Sequence, residues 1–249
     1  MLHLITRLNR FFERKLNISY YLILVLSFFS TGILFAYLFG LLSTKVDLSS
    51  FNRTQIIEES YTTYVNYQLP ELSNSFFKIF SGNFSSAILV MLFPGLLLFI
   101  LNFIIPKMVF FEPDIDLNDA SRNLKLEIKY AILFISFIYA FNSFSSNNLF
   151  VYFSILPFNV SILSFIHGIF EIPAMIIPSV MSFYIVDSIY EINEEKNKEI
   201  QKTEIQKLIT KSIAVICIFS FILLIAAYVE CYITPNIIRQ QFENYLLNR

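Results

Sequence analysis

His167 and Glu171 lie four residues apart in Phe165-Ile-His-Gly-Ile-Phe-Glu-Ile-Pro-Ala174. Glu230 lies in a second block, Leu224-Ile-Ala-Ala-Tyr-Val-Glu-Cys-Tyr-Ile-Thr-Pro235, and both blocks are otherwise apolar. On an α-helix a spacing of four stacks two side chains on one face, so His167 and Glu171 would point the same way. A carboxyl and an imidazole among apolar neighbours can relay protons, ligate a metal or tie helices together by hydrogen bonds. A charged side chain at membrane depth costs roughly 2.5–3.5 kcal/mol on insertion scales, so these groups should face protein or water rather than lipid.

Nucleophilic or metal-dependent catalysis finds little support. A catalytic zinc normally takes three protein ligands, and the only histidine besides His167 is His3, near the other end of the chain. There is no His-Glu-x-x-His pair, no Gly-x-Ser-x-Gly and no phosphate-cradling Gly-rich loop. The expectation is a non-enzymatic protein with no metal and no cofactor.

The elements that must position these residues are membrane helices. Of the 249 residues 56% are apolar and 15% charged, against about 25% charged in a soluble domain. A net charge of −1 offers no basic face for nucleic acid. A crossing of the hydrocarbon layer takes about 20 residues. Apolar runs occupy about 19–42, 85–106, 129–142, 149–189 and 211–233, and nearly all charges gather between them. Arg7, Arg10, Arg14 and Lys15 precede a first run too long for a cleaved signal, which reads as an uncleaved anchor.

The positive-inside rule sets the orientation. With the N-terminus and residues 107–129 and 190–211 in the cytoplasm, 13 of the 18 Lys and Arg are inside. That requires one spanning helix at about 161–189, preceded by an interfacial or re-entrant piece at 148–158, and five spans in all. The reading is therefore an all-α, polytopic membrane helix bundle of about five transmembrane helices plus interfacial amphipathic helices. It forms a single integral membrane domain over 1–249, with the N-terminus cytoplasmic and the C-terminus external. His167, Glu171 and Glu230 then share the outer half, and Asn83, just before the second span, could join them by hydrogen bonding. Pro173 and Pro178 would kink the helix that carries Glu171, because each removes a backbone donor.

Between the spans, residues 1–17 read as a cytoplasmic amphipathic segment with Leu4, Leu8 and Leu16 at helical spacing. Residues 43–84 read as an external helical segment, with Pro70 suited to a helix's first turn and Leu72, Phe76, Phe77 and Phe80 on one face. Residues 190–210 read as a charged cytoplasmic hairpin in which Glu204 and Lys207 can pair. Cys217 and Cys231 are too far apart on one helix for a bridge, about 21 Å at 1.5 Å per residue, and read as core thiols.

The blocks at 167–174 and 226–235 resemble the two signature blocks of the stage II sporulation protein M family. Residues 76–102, from Phe-Phe-Lys-Ile-Phe through Gly82-Asn83 to Gly95 and Asn102, are similar to that family's earlier aromatic-Asn block. The chain departs from the pattern at Ile166, where the family usually has Pro, and at Pro178-Ser-Val-Met-Ser182, where it favours Gly and Ala. With five glycines in the whole chain, bulky packing would have to replace close helix approach. The resemblance implies a divergent member. Relatives of that kind include a sporulation component that anchors cell-wall hydrolases at the engulfing septum and proteins encoded beside circular-bacteriocin genes.

Two functional classes follow. The first is a multi-pass membrane component of a protein complex, in cell-envelope remodelling or partner anchoring, with the His/Glu cluster fixing helix packing. The alternative is a transporter, or a peptide export or immunity component, that uses the cluster for protons. Partners expected of either are membrane lipids, other membrane or envelope proteins, and a second copy of the chain.

Overall fold

The computed structural model describes residues 12, 15–47, 69–104, 117–146, 166–234, 236, 237 and 240, and among these the chain is helical with no strand. Five long helices follow one another: α1 (Ile18–Asp47), α2 (Leu69–Phe99), α3 (Leu117–Ser146), α4 (Gly168–Glu194) and α5 (Lys198–Tyr228). A π-helical turn of five residues extends α2 over Ile100–Ile104, and another extends α5 over Val229–Ile233.

Among the described residues four stretches are long and apolar enough to cross a membrane: Ile18–Leu38, Ser75–Ile104, Gly168–Glu194 and Lys198–Ile233. The fifth run expected from the sequence lies in α3. Lys125, Glu127 and Lys129 sit in the first half of that helix and Asn142, Ser143 and Ser145 near its end, which leaves too short an apolar stretch between them.

Helix limits differ from the sequence expectation in two places, each with a local cause. The segment expected as a separate outer helix, Pro70 to Phe80, is continuous with the second span as α2, whose first turn holds Pro70 and whose interior holds Pro94. Helix α4 begins at Gly168 rather than near residue 161, and it runs five residues past 189. The Ile166 carbonyl accepts the Ile169 N–H at 3.3 Å, and the His167 carbonyl accepts those of Phe170 at 2.9 Å and Glu171 at 3.1 Å. Residues 1–11, residues 48–68 of the segment read above as external and helical, and the piece at 148–158 lie outside the described residues.

The α4–α5 connection is three residues long and is closed by side chains at both helix ends. Asn197 Oδ1 accepts the Glu199 N–H at 3.0 Å, an N-cap for α5. Gln201 Nε2 donates to the carbonyls of Ile192 at 3.0 Å and Glu195 at 2.6 Å. That covers carbonyls that a helix C-terminus leaves without an intrahelical partner.

The chain forms two compact units, and every long helix contributes to both. The first takes 18–28 of α1, 86–99 of α2, 117–136 of α3, 175–194 of α4 and 198–219 of α5; the second takes the remaining part of each. In the first unit Tyr21, Met91, Ile132, Phe183 and Phe219 are buried. In the second, Ala36, Ala140, Ala226 and Ala227 are buried, and Phe35 meets Phe137 edge-on at 5.7 Å. Helix α4 is the most enclosed span, with 61% of its apolar window buried against 28%, 28% and 33% for the other three. The outward faces carry exposed Leu89, Phe93, Phe134, Ile213 and Phe221, which suits contact with acyl chains. Cys231 is buried, but Cys217 is exposed rather than in the core, and both are free.

Gly95 and Gly32 permit close helix approach. A Cβ at residue 95 would collide with the side chain of Ile185 on α4 in the first unit. In the second unit, a Cβ at residue 32 would meet the Phe137 carbonyl and come within 2.9 Å of Ala140 Cβ on α3. Gly82 has open space around it, so helix propensity alone decides substitution there. In thermal unfolding of the detergent-purified chain, Gly95→Val is expected to destabilise by about 1–3 kcal/mol through overpacking. Gly82→Ala is expected to stabilise by roughly 0.5–1 kcal/mol, because a mid-helix Gly loses more backbone freedom on folding than Ala.

Candidate functional site

In the second unit the structure joins three of the four polar residues singled out from the sequence. Asn83 on α2 donates from Nδ2 to Glu171 Oε1 on α4 at 2.6 Å. Glu230 lies within electrostatic reach of Glu171. It sits in the π-helical turn after α5, which Thr234 closes by donating its N–H to the Val229 carbonyl. One extra residue per turn changes the angle at which a side chain leaves the helix, and such turns are frequent at functional positions. His167 stands one turn before Glu171, as the backbone bond from the Glu171 N–H to the His167 carbonyl requires. Asn83, His167, Glu171 and Glu230 are all half-buried.

Pro173 and Pro178 both fall inside α4, which continues through them as an α-helix. Pro178 has no N–H for the Ala174 carbonyl. At the next residue Ser179 Oγ donates to the neighbouring Met175 carbonyl at 3.1 Å. Among the described residues no group of three His, Cys, Asp or Glu is arranged to hold a metal ion.

A second polar constellation, in the first unit, is more deeply buried and was not singled out from the sequence. Asp187 on α4 is fully enclosed, and its Oδ1 lies 2.6 Å from Lys129 Nζ and 3.0 Å from Lys125 Nζ, both on α3. Tyr21 on α1, also fully buried, donates its hydroxyl to Asp187 Oδ2. The same hydroxyl oxygen accepts the Leu16 N–H at 2.9 Å and a contact from Lys129 Nζ at 3.4 Å. Lys129 also donates to the Phe12 carbonyl at 2.8 Å, so all three protons of its ammonium have an oxygen in reach.

Aromatic rings enclose this network. Phe183 stacks on Tyr21 with centroids 4.8 Å apart, Lys125 lies 4.2 Å above the Tyr190 ring, and Phe12 meets Tyr130 edge-on at 5.1 Å. Three helices and the segment before α1 thus converge on one carboxylate. Two signals for it were in the sequence: the i, i+4 spacing of Lys125 and Lys129, which puts them on one helix face, and a lone Asp in Phe183-Tyr-Ile-Val-Asp-Ser-Ile-Tyr190.

Removing one partner of a buried pair leaves an uncompensated charge, which costs about 3–5 kcal/mol. Asp187→Leu is therefore expected to lower the stability of the purified chain by that amount. Adding Lys129→Met to Asp187→Leu should recover part of the loss, a non-additivity that a double-mutant cycle by thermal unfolding would measure.

A family model described as stage II sporulation protein M matches residues 24–235. No curated protein and no solved structure matches the chain. The matched stretch contains Asn83, His167, Glu171, Glu230 and the Lys125–Lys129–Asp187 network, whereas Phe12 and Tyr21 precede it. Covering most of the 249 residues, the match establishes that the chain belongs to the stage II sporulation protein M family.

Proposed function

We propose that this chain is a non-enzymatic, multi-pass membrane component that anchors partner proteins of the cell envelope in a complex. It crosses the membrane five times through α1 to α5, with its N-terminus in the cytoplasm and its C-terminus outside. Helix α3 is the fifth crossing: its ionic residues Lys125 and Lys129 are buried against Asp187, which removes the main obstacle to placing that helix among acyl chains.

One observation carries the reading. Two carboxyls within the bundle are engaged by side chains of other helices, Glu171 by Asn83 and Asp187 by Lys125, Lys129 and Tyr21. Groups used in this way hold a helix arrangement in place. A fixed arrangement with apolar outer faces suits a platform on which other membrane proteins assemble, and the family resemblance points to the same class.

The orientation predicts that a cysteine introduced for Lys202, in a background lacking Cys217 and Cys231, is labelled by a membrane-impermeant maleimide only from the cytoplasmic side. For the role itself, Glu171→Gln should leave the chain in its native-membrane complex, seen by crosslinking and blue-native electrophoresis, because an amide offers similar hydrogen bonding. Glu171→Leu should dissociate or destabilise it. Proton flux through proteoliposomes of the purified chain that Glu171→Gln abolishes would reject this reading in favour of transport.

A further inference from the structure

The α4–α5 hairpin holds a cleft of about 170 Å³ in the first unit, at the ends of two apolar spans. Its charged lining comes from Lys15, Glu191, Glu195, Glu204 and Lys207, with the ring of Tyr184 among them. Two ammoniums lie over that ring, Lys15 at 5.4 Å and Lys211 at 4.9 Å from its centroid, and Lys211 also donates to Tyr184 Oη at 2.7 Å. Three carboxylates and two ammoniums therefore line one opening, and the Lys211 ammonium stands beside it at Tyr184.

The ion pairs already formed there are open to exchange. Lys15 and Glu191 are 2.5 Å apart with side chains 38% and 47% exposed, and Lys207 and Glu204 are 2.7 Å apart with 59% and 47% exposed. Exposed pairs of this kind contribute little to stability, so a ligand offering equivalent partners can replace them at small cost. A purely anionic ligand would meet the three glutamates, and a purely cationic one the three lysines. A ligand that carries both charges a few bonds apart satisfies both sets.

Ser188 and Gln201 complete the polar lining, Ile192, Ile200 and Leu208 form its apolar part, and α5 goes on to present exposed Ile209 and Ile213. The ligand that brings a zwitterionic head and an apolar tail to the end of a membrane span is a phospholipid. We propose that this cleft binds the headgroup of a phosphoethanolamine lipid. Its phosphate lies between Lys15, Lys211 and the Tyr184 hydroxyl, and its primary ammonium on Glu191 and Glu204. A primary ammonium donates hydrogen bonds to carboxylates, and a quaternary choline ammonium has no N–H to donate.

Native mass spectrometry of the purified full chain, in micelles doped with equal amounts of phosphatidylethanolamine, phosphatidylcholine and phosphatidylglycerol of one acyl composition, tests this. The wild type should retain phosphatidylethanolamine about fivefold over either other lipid, a difference within what a few charge-assisted hydrogen bonds supply. Glu191→Gln with Glu204→Gln should erase the preference over phosphatidylcholine. Lys15→Gln with Lys211→Gln should weaken retention of all three. Equal retention by the wild type, which requires no variant to fold, overturns the proposal, as does a preference unchanged in both double variants. Soluble glycerophosphoethanolamine serves as the second arm: displacement of the lipid at equal concentration would assign the cleft to a soluble phosphoamine and overturn the lipid reading.

Discussion

The carboxylate of Asp187 lies between two ammoniums and a tyrosyl hydroxyl with no access to solvent. Within a bilayer no water replaces a partner that moves away, and an unpaired charge is far costlier than a lost surface contact. The groups that meet at Asp187 are therefore held in one register. Sliding α3 by a turn would withdraw Lys125 or Lys129, and rotating α1 would withdraw Tyr21. The same point ties down the chain ahead of α1, because Lys129 also holds the Phe12 carbonyl and Tyr21 the Leu16 amide. Apolar packing alone specifies such a register weakly, since lipid tails are as apolar as leucine and sliding one smooth helix over another changes little. The two glycine contacts add a steric constraint to the ionic one: Gly95 admits Ile185, and Gly32 admits the backbone of α3.

Local irregularity is placed where polar groups need aiming. Helix α4 carries two prolines within two turns of Glu171, and α5 passes into a π-helical turn at Glu230. The prolines lie on the helix that brings Glu171 to Asn83, and the π turn on the one that brings Glu230 within electrostatic reach of Glu171. A buried carboxyl must meet its partner within hydrogen-bond distance, and a straight helix provides only discrete directions in steps of 100°. The π turn adds a direction that the regular helix lacks.

Much of this was legible in the sequence, and the parts that were not have a physical explanation. Composition alone placed the chain in a membrane, and the motif around His167 and Glu171 pointed to a partner at Asn83 that the structure provides at 2.6 Å. Those residues stood out because they interrupt long apolar runs. Lys125 and Lys129 did not, because they lie where cytoplasmic flanking charges belong, and a lysine near a span end ordinarily reaches solvent along its flexible stem. Asp187 sits seven residues before the end of α4, close enough to the charged hairpin to read as part of it. Only the packing of α1, α3 and α4 distinguishes a solvated flank from an enclosed ionic network. The helix limits erred for a related reason: hydropathy marks the apolar stretch, whereas α2 begins well before its own, at Leu69, and α4 outlasts its own to Glu194.

The network is also graded in charge along α4. Two ammoniums against the single carboxylate of Asp187 would leave a buried positive excess, and the next turn of the same helix supplies the second negative group. Glu191 lies four residues on, within electrostatic reach of Lys129 and Tyr21, and it pairs with Lys15. From Asp187, fully enclosed, to Glu191, 47% exposed, the carboxylates step outward while their partners change from buried Lys129 to exposed Lys15. A cluster arranged in this way neutralises its buried part with its own next layer. Its outermost members, Lys15 and Glu191, are left at a surface where their charges remain available to other ligands. The constraint that fixes the helices and the cleft at the hairpin thus share one line of side chains, with Glu191 belonging to both.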